Sequence, residues 1–329
     1  MIYWLAEQQW LVAAAEDIDR LLNKKVVSPS ALIYVTGVPR SRTTFFAQKL
    51  SECRGVSSFT YGHFPLLNAP NLWPFISKWY YGSGSYVERP HKDGLLVGKG
   101  SVDSFDEIIW QTNALSKVER NPNIEITKKA VSHYLNVIGR FMGAAESSIY
   151  LAKNNAIIFR AEEICGFMPQ AKFLVMLRHP RELVPSLVRN HELFSNYIRE
   201  NDDYRRRMRL LCHSEFGPDV AYSVSNEKAN DDLCELKLAE DWWSYYSKVC
   251  VEYIRKFDQA SRCGKSDQFI FFNSDNVSEK KLENLRRQLE VDVNFNDFST
   301  SRYSYTPPKN LYYQEAVELY ESFVERLNI

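Results

Sequence analysis

The chain has 329 residues, of which 45% are hydrophobic, and 41 Lys and Arg balance 41 Asp and Glu. That length suits one large α/β domain or two small ones, and that apolar content excludes a disordered chain. A formal net charge of zero supplies no global field for nucleic acid, so any anion site must be a local concentration of cations.

No stretch approaches the roughly 20 apolar residues that cross a bilayer. Glu7, Gln8 and Gln9 interrupt Met1–Ala15, and no basic segment precedes them, so a secretory signal is not expected. Cys53, Cys165, Cys212, Cys234, Cys250 and Cys263 are scattered without a metal-clip spacing. They read as reduced thiols of a cytoplasmic protein, with no metal site.

In chain order, residues 3–23 predict an amphipathic helix with Leu5, Leu11, Val12, Ile18, Leu21 and Leu22 on its apolar face. Ala31 to Val35 is a β-branched apolar run and predicts a buried strand. Gly37 to Thr44 (GVPRSRTT) follows as a turn, and Phe45 to Leu50 continues in a helical pattern. Val56 to Tyr61 predicts a second strand, closed by Gly62-His63-Phe64-Pro65. Residues 66–125 are rich in Pro, Gly, Asn and aromatics, including Trp73, Trp79, Tyr80 and Tyr81, and predict an irregular insertion with short helices.

Further on, Ile126–Ala145 predicts a helix and Ile149–Ala152 a strand ended by Lys153-Asn154-Asn155. Ile158–Phe167 is a short helix. Phe173–Leu177 is a strand ended by Arg178-His179-Pro180, with a helix to Phe194. Residues 195–260 read as helical; the basic run Arg205 to Arg209 is offset by Glu200, Asp202 and Asp203 and reads as a solvated face. Phe269–Phe272, Glu279–Leu289 and Tyr312–Leu327 predict a late strand and two helices. Strands alternating with helices predict a three-layer α/β fold, a mainly parallel sheet flanked by helices; the strand, turn and helix around Gly37–Thr44 make its core a P-loop-like nucleotide-binding one. Ligands of such sheets bind beyond the carboxyl ends of the strands, where Gly37, His63, Lys153 and Arg178 all fall.

Strand, tight turn and helix aim backbone N–H groups at an anion, and Arg40, Arg42, Thr43 and Thr44 add charged and hydroxyl donors. GVPRSRTT lacks the Gly-Lys-Ser/Thr that an ATPase cradle needs. It resembles instead the 5′-phosphosulfate loop of sulfotransferases that use PAPS (3′-phosphoadenosine 5′-phosphosulfate), whose usual form is Pro-(Lys/Arg)-Ser-Gly-Thr-Thr. Pro39, Arg40, Ser41, Thr43 and Thr44 match, while Arg42 stands where glycine is usual. An arginine there either crowds the loop or adds a phosphate contact.

Arg178, ending a strand, and Ser186, eight positions on, resemble the family's 3′-phosphate site. Lys153 matches the lysine of the Lys-Thr-His run of cytosolic members, where it contacts the sulfuryl bridge; Asn155 replaces the histidine that serves there as base. Other branches place a Glu or His after the second strand, and His63 stands at that place. Glu107, His91 and His133 are poorer candidates.

The resemblance thus implies sulfuryl transfer from PAPS, leaving PAP, to an unidentified acceptor hydroxyl or amine. Its site residues are Arg40, Lys153 and His63 for catalysis and Arg40, Ser41, Arg42, Thr43, Thr44, Arg178 and Ser186 for the nucleotide. The alternatives are a P-loop kinase using ATP and Mg²⁺ and a non-catalytic PAP-binding protein of the same fold. The map is one domain over 1–329. It holds an N-terminal helix in 1–25, the 5′-phosphosulfate unit and following strand in 31–64, and an acceptor-binding insertion in 66–148. The 3′-phosphate region spans 149–190. The helical part, 195–329, carries a late strand and a lid loop at 299–310 with Arg302 and Lys309.

Overall fold

Strand β1, Ala31–Gly37, is buried almost throughout and forms the middle of the sheet. The computed structural model describes residues 2–22, 25–78, 86–111, 125–264, 266–295 and 310–329. Helices α1 (Ile2–Glu7) and α2 (Gln9–Leu22) precede β1; α3 (Thr43–Ser51), β2 (Val56–Ser57) and α4 (Trp73–Ser77) follow it. A small hairpin, β3 (Val87–Glu88) and β4 (Leu96–Val97), leads to α5 (Phe105–Gln111), α6 (Lys128–Ala145) and β5 (Ile149–Lys153). Then come α7 (Ala161–Phe167), β6 (Ala171–Leu177), α8 (Pro180–Glu200), α9 (Asp202–Leu210), α10 (Glu227–Leu238) and α11 (Trp242–Arg262). β7 (Phe269–Asn273), α12 (Glu279–Leu289) and α13 (Leu311–Leu327) close the chain.

The strands of the five-stranded sheet run in the order β2-β5-β1-β6-β7, and every pairing is parallel. Side chains alternate across it with period two. Leu32 and Tyr34 of β1, with Phe173, Val175 and Leu177 of β6, join one core with α6, α8, α11 and α13. Ile33 and Val35, with Leu174 and Met176, join the other with Phe46 and Leu50 of α3 and Leu282, Leu285 and Leu289 of α12. A sheet covered on both faces needs strands that are apolar at every position, which is why these runs stood out in the sequence. The registers Val35 to Lys153, Gly37 to Met176 and Leu177 to Asn273 bring the strand ends to one edge.

Three local expectations are corrected. The N-terminal helix breaks at Gln8 into α1 and α2. The second strand ends at Ser57, not Tyr61; Tyr61–His63 forms a 3-10 turn capped by Thr60. The helical reading of 195–260 fails between α9 and α10, where Cys212 (φ 59) and Gly217 (φ 83) take left-handed backbone and Pro218 follows. Trp79, Tyr80, Tyr81 and the expected lid contacts Arg302 and Lys309 lie outside the described residues. Among the described residues, no helix is long and apolar enough to cross a membrane.

Candidate functional site

The turn after β1 is held open by backbone geometry. Gly37 has φ 148, and a Cβ there would meet the Met176 carbonyl oxygen at 2.6 Å and Ser41 Oγ at 2.8 Å. Ser41 is fully buried, and its Oγ donates to the Val38 carbonyl at 2.7 Å, so it ties the loop rather than facing outward. Arg40 (φ 75) and Arg42 (φ 69) both adopt left-handed backbone. Arg42 therefore takes the conformation that glycine would take without strain. It does not crowd the loop: its guanidinium reaches Ser274 Oγ at 2.9 Å and Asp275 Oδ1 at 3.2 Å, past the end of β7. α3 begins at Thr43, and the side chain of its N-cap residue Arg42 makes no capping hydrogen bond.

This loop forms one wall of a cavity of about 390 Å³ that also takes in Lys153, Asn155 and Arg178. Cations converge on it, each paired with a carboxylate. Arg40 Nη1 donates to Asp93 Oδ2 at 2.7 Å, and Arg89 grips the same carboxylate through Nε at 2.9 Å. Arg89 Nη1 also donates to Thr44 Oγ1 at 3.1 Å. Lys153 Nζ donates to Asp103 Oδ1 at 2.9 Å and Ser104 Oγ at 2.8 Å. Burial pushes the Asp103 carboxyl up, but Lys153, His213 and the Tyr61 hydroxyl outweigh it and hold the group well below the usual carboxylate range.

Arg178 leaves the end of β6 and donates from Nη1 to the Arg40 carbonyl at 2.9 Å. Its Nε is buried with no hydrogen-bond partner among the described residues. Burial and the nearby charge of Arg42 and Arg40 lower the guanidinium to about 10, although Asp275 and Glu182 work the other way. A buried cation crowded by cations, with a donor to spare, is an environment that an anion relieves. Ser186 does not line the cavity, but its Oγ accepts from Arg40 Nε at 3.2 Å.

His63 is not brought to this cavity. Its Nδ1 accepts from the Thr60 backbone N–H at 3.0 Å, and its ring packs edge-on against Phe59 and Phe141. Burial lowers the imidazole to about 4, with the Thr60 contact opposing. His133 faces Glu16 at 3.5 Å and does not line the cavity. His91 does line the cavity, with Nδ1 at 2.7 Å from Asn190 Oδ1. Burial, then Arg89 and Arg40, push it well below the ordinary histidine value.

Sequence reasoning passed over Arg89, Asp93, Asp103, His213 and Glu215, all of which line the cavity. His213 lies between two carboxylates, with Nε2 at 3.7 Å from Asp103 Oδ2 and Nδ1 at 3.8 Å from Glu215 Oε2. Asn155 bridges the cradle to this group: Thr43 Oγ1 donates to its Oδ1 at 3.1 Å, and its Nδ2 donates to Glu215 Oε1 at 3.4 Å. A signal for the segment was present. Gly217-Pro218 is a turn dipeptide, so the residues just before it should not have been read as helix.

Comparison with known proteins agrees with this architecture. The crystal structure of sulfotransferase STF1 from Mycobacterium tuberculosis H37Rv superposes with a TM-score of 0.50 at 10% identity, over 98% of this chain and 84% of that one. At that identity the likeness concerns the fold. Sulfotransferase STF9 from Mycobacterium avium aligns with a TM-score of 0.42 at 11% identity, over 95% of this chain and 72% of that one. No match emerged among curated proteins. The sulfotransferase family model matches residues 32–232, from β1 through the cradle, Lys153 and Arg178 into α10. The chain belongs to the sulfotransferase family.

Proposed function

We propose that the chain is a PAPS-dependent sulfotransferase that moves a sulfuryl group to an acceptor hydroxyl or amine. The observation that carries this reading is the meeting of Arg40, Thr43, Thr44, Lys153 and Arg178 at one cavity over the strand ends. PAPS supplies an activated sulfuryl group on a phosphate leaving group. The α3 N-terminus, Thr43 and Thr44 hold the 5′-phosphate of the donor. Arg178, which lines the same cavity, takes the 3′-phosphate that distinguishes PAPS from ATP. Ser186 acts beside it by holding Arg40. Arg42 braces the loop against β7 rather than gripping phosphate.

Lys153 and Arg40 stabilise the negative charge that gathers on the leaving phosphate as the bridging bond lengthens. Both are buried or nearly so, where fixed charges act with little solvent reorganisation. The remaining need is a group to accept the acceptor's proton, which His63 does not meet from its place outside the cavity. The direct test is transfer of label from radiolabelled PAPS to a panel of phenols, alcohols, amines and sugars. Acceptor-dependent transfer is the expected result. Tight PAP binding without turnover on any acceptor would leave a nucleotide-binding protein instead.

A further inference from the structure

A second, smaller cavity of about 100 Å³ opens beside the first, and the two share Asn155 and Glu215. Its walls include Ala156, Phe159, Tyr222, Tyr253 and a second carboxylate, Glu107. Phe159 and Tyr253 are buried and pack edge to face with ring centroids 4.7 Å apart. The Tyr222 hydroxyl is buried and has no hydrogen-bond partner among the described residues. That oxygen is closed to solvent, so Tyr222 offers the cavity its ring rather than its hydroxyl.

Glu215 stands at the junction. Asn155 fixes its Oε1 from the cradle side, and His213 faces its Oε2. We propose that the small cavity is the acceptor subsite, taking a phenol or similarly slender apolar alcohol, and that Glu215 is the general base. This rests on the sulfuryl-transfer reading above. A hydroxyl entering past Phe159 and Tyr253 meets Glu215 just before it meets the donor cavity. Glu215 takes the hydroxyl proton as the acceptor oxygen forms its bond to sulfur. The bond from sulfur to the bridging phosphate oxygen breaks, and its electron pair leaves with PAP toward Lys153 and Arg40. The proton on Glu215 then passes to solvent. His213 is a positioning residue: it lies between Glu215 and Asp103, and Asp103 is itself fixed by Lys153 and Tyr61. The size of the cavity and its aromatic wall disfavour a sugar ring, whose many hydroxyls would each need a partner.

The test uses the whole chain, PAP and phenol. Calorimetry with PAP comes first; absence of PAP binding by the unaltered protein would overturn the nucleotide reading itself. With radiolabelled PAPS and phenol, Glu215→Gln is expected to lose roughly 10²-fold or more in kcat while PAP affinity is kept. Formate is expected to restore part of the turnover of Glu215→Ala, which a purely structural role would not allow. Tyr222→Leu, which removes the ring that lines the cavity, is expected to raise KM for phenol several-fold while PAP affinity is unchanged. Turnover of Glu215→Gln within threefold of the unaltered protein would overturn the base assignment, as would loss confined to Glu107→Gln. Transfer to sugars but not to phenol would overturn the subsite.

Discussion

Asp93 Oδ2 accepts from Arg40 Nη1 at 2.7 Å inside the main cavity, so a carboxylate from the β3–β4 hairpin holds the cation of the cradle. Burial pushes the Asp93 carboxyl up, but Arg89 and Arg40 outweigh it and hold the group well below the usual range. The carboxylate is thus ionised at any working pH and competes with a donor phosphate for Arg40. Asp93→Asn is expected to tighten PAP roughly threefold to tenfold, about 1 kcal/mol. Calorimetry checks this; weaker binding would mean that Asp93 orders Arg40 and Arg89 more than it blocks them.

Arg42 carries a strained backbone and a useful side chain at once. Its left-handed φ of 69 costs about 1 kcal/mol relative to glycine, and its contacts with Ser274 and Asp275 offset a similar amount. Arg42→Gly is therefore expected to change stability by less than about 1 kcal/mol. Arg42→Val loses the contacts and adds a β-branched clash, and is expected to cost about 2 kcal/mol or more. Chemical denaturation of the two variants distinguishes this from a loop that needs the arginine for its shape.

Asp106 is a second titration point, away from the cavity. It accepts from Tyr134 at 2.7 Å, Tyr150 at 3.2 Å and Trp110 at 3.1 Å. Burial still raises its carboxyl to about 6, with those hydrogen bonds opposing. A raised carboxyl contributes stability that is complete below its unfolded value of 3.8 and is lost as pH rises through about 6. Relative to Asp106→Asn, the unaltered protein is expected to lose roughly 2 kcal/mol between pH 4 and pH 7. The amide that Asn turns toward Trp110 Nε1 offsets the whole curve without altering its slope. A difference that stays flat with pH would contradict the assignment.

His63→Gln is expected to leave kcat within about threefold of the unaltered protein, since the imidazole serves the Thr60 turn rather than the cavity. A loss of roughly 10²-fold, with the variant folded and PAP bound, would return the imidazole to the mechanism.

The parts of the site that were legible in the sequence lie on or beside strands buried on both faces. Ala31–Val35 and Phe173–Leu177 could be nothing but inner strands, and once they are parallel, Gly37, Lys153 and Arg178 must share an edge. His63 falls elsewhere because Val56–Tyr61 reads as one strand running to the sheet edge, whereas pairing to β5 stops at Ser57. The chain then turns away, and Thr60 bridges to Val102 instead. Arg89, Asp93, His213 and Glu215 sit in segments with no periodicity to read. Arg89 and Asp93 arrive because the hairpin folds back on the cradle, and Glu215 because left-handed residues flank its loop. Tertiary packing sets such positions, and local sequence carries little trace of it.

The most direct test of the nucleotide assignment is calorimetric binding of PAP and ADP, without Mg²⁺, to the unaltered protein and to Arg178→Ala. The account predicts that PAP binds at least roughly tenfold more tightly than ADP, and that Arg178→Ala erases the difference by weakening PAP alone. Tighter binding of Mg²⁺–ATP than of PAP, or equal weakening of PAP and ADP by Arg178→Ala, would contradict it.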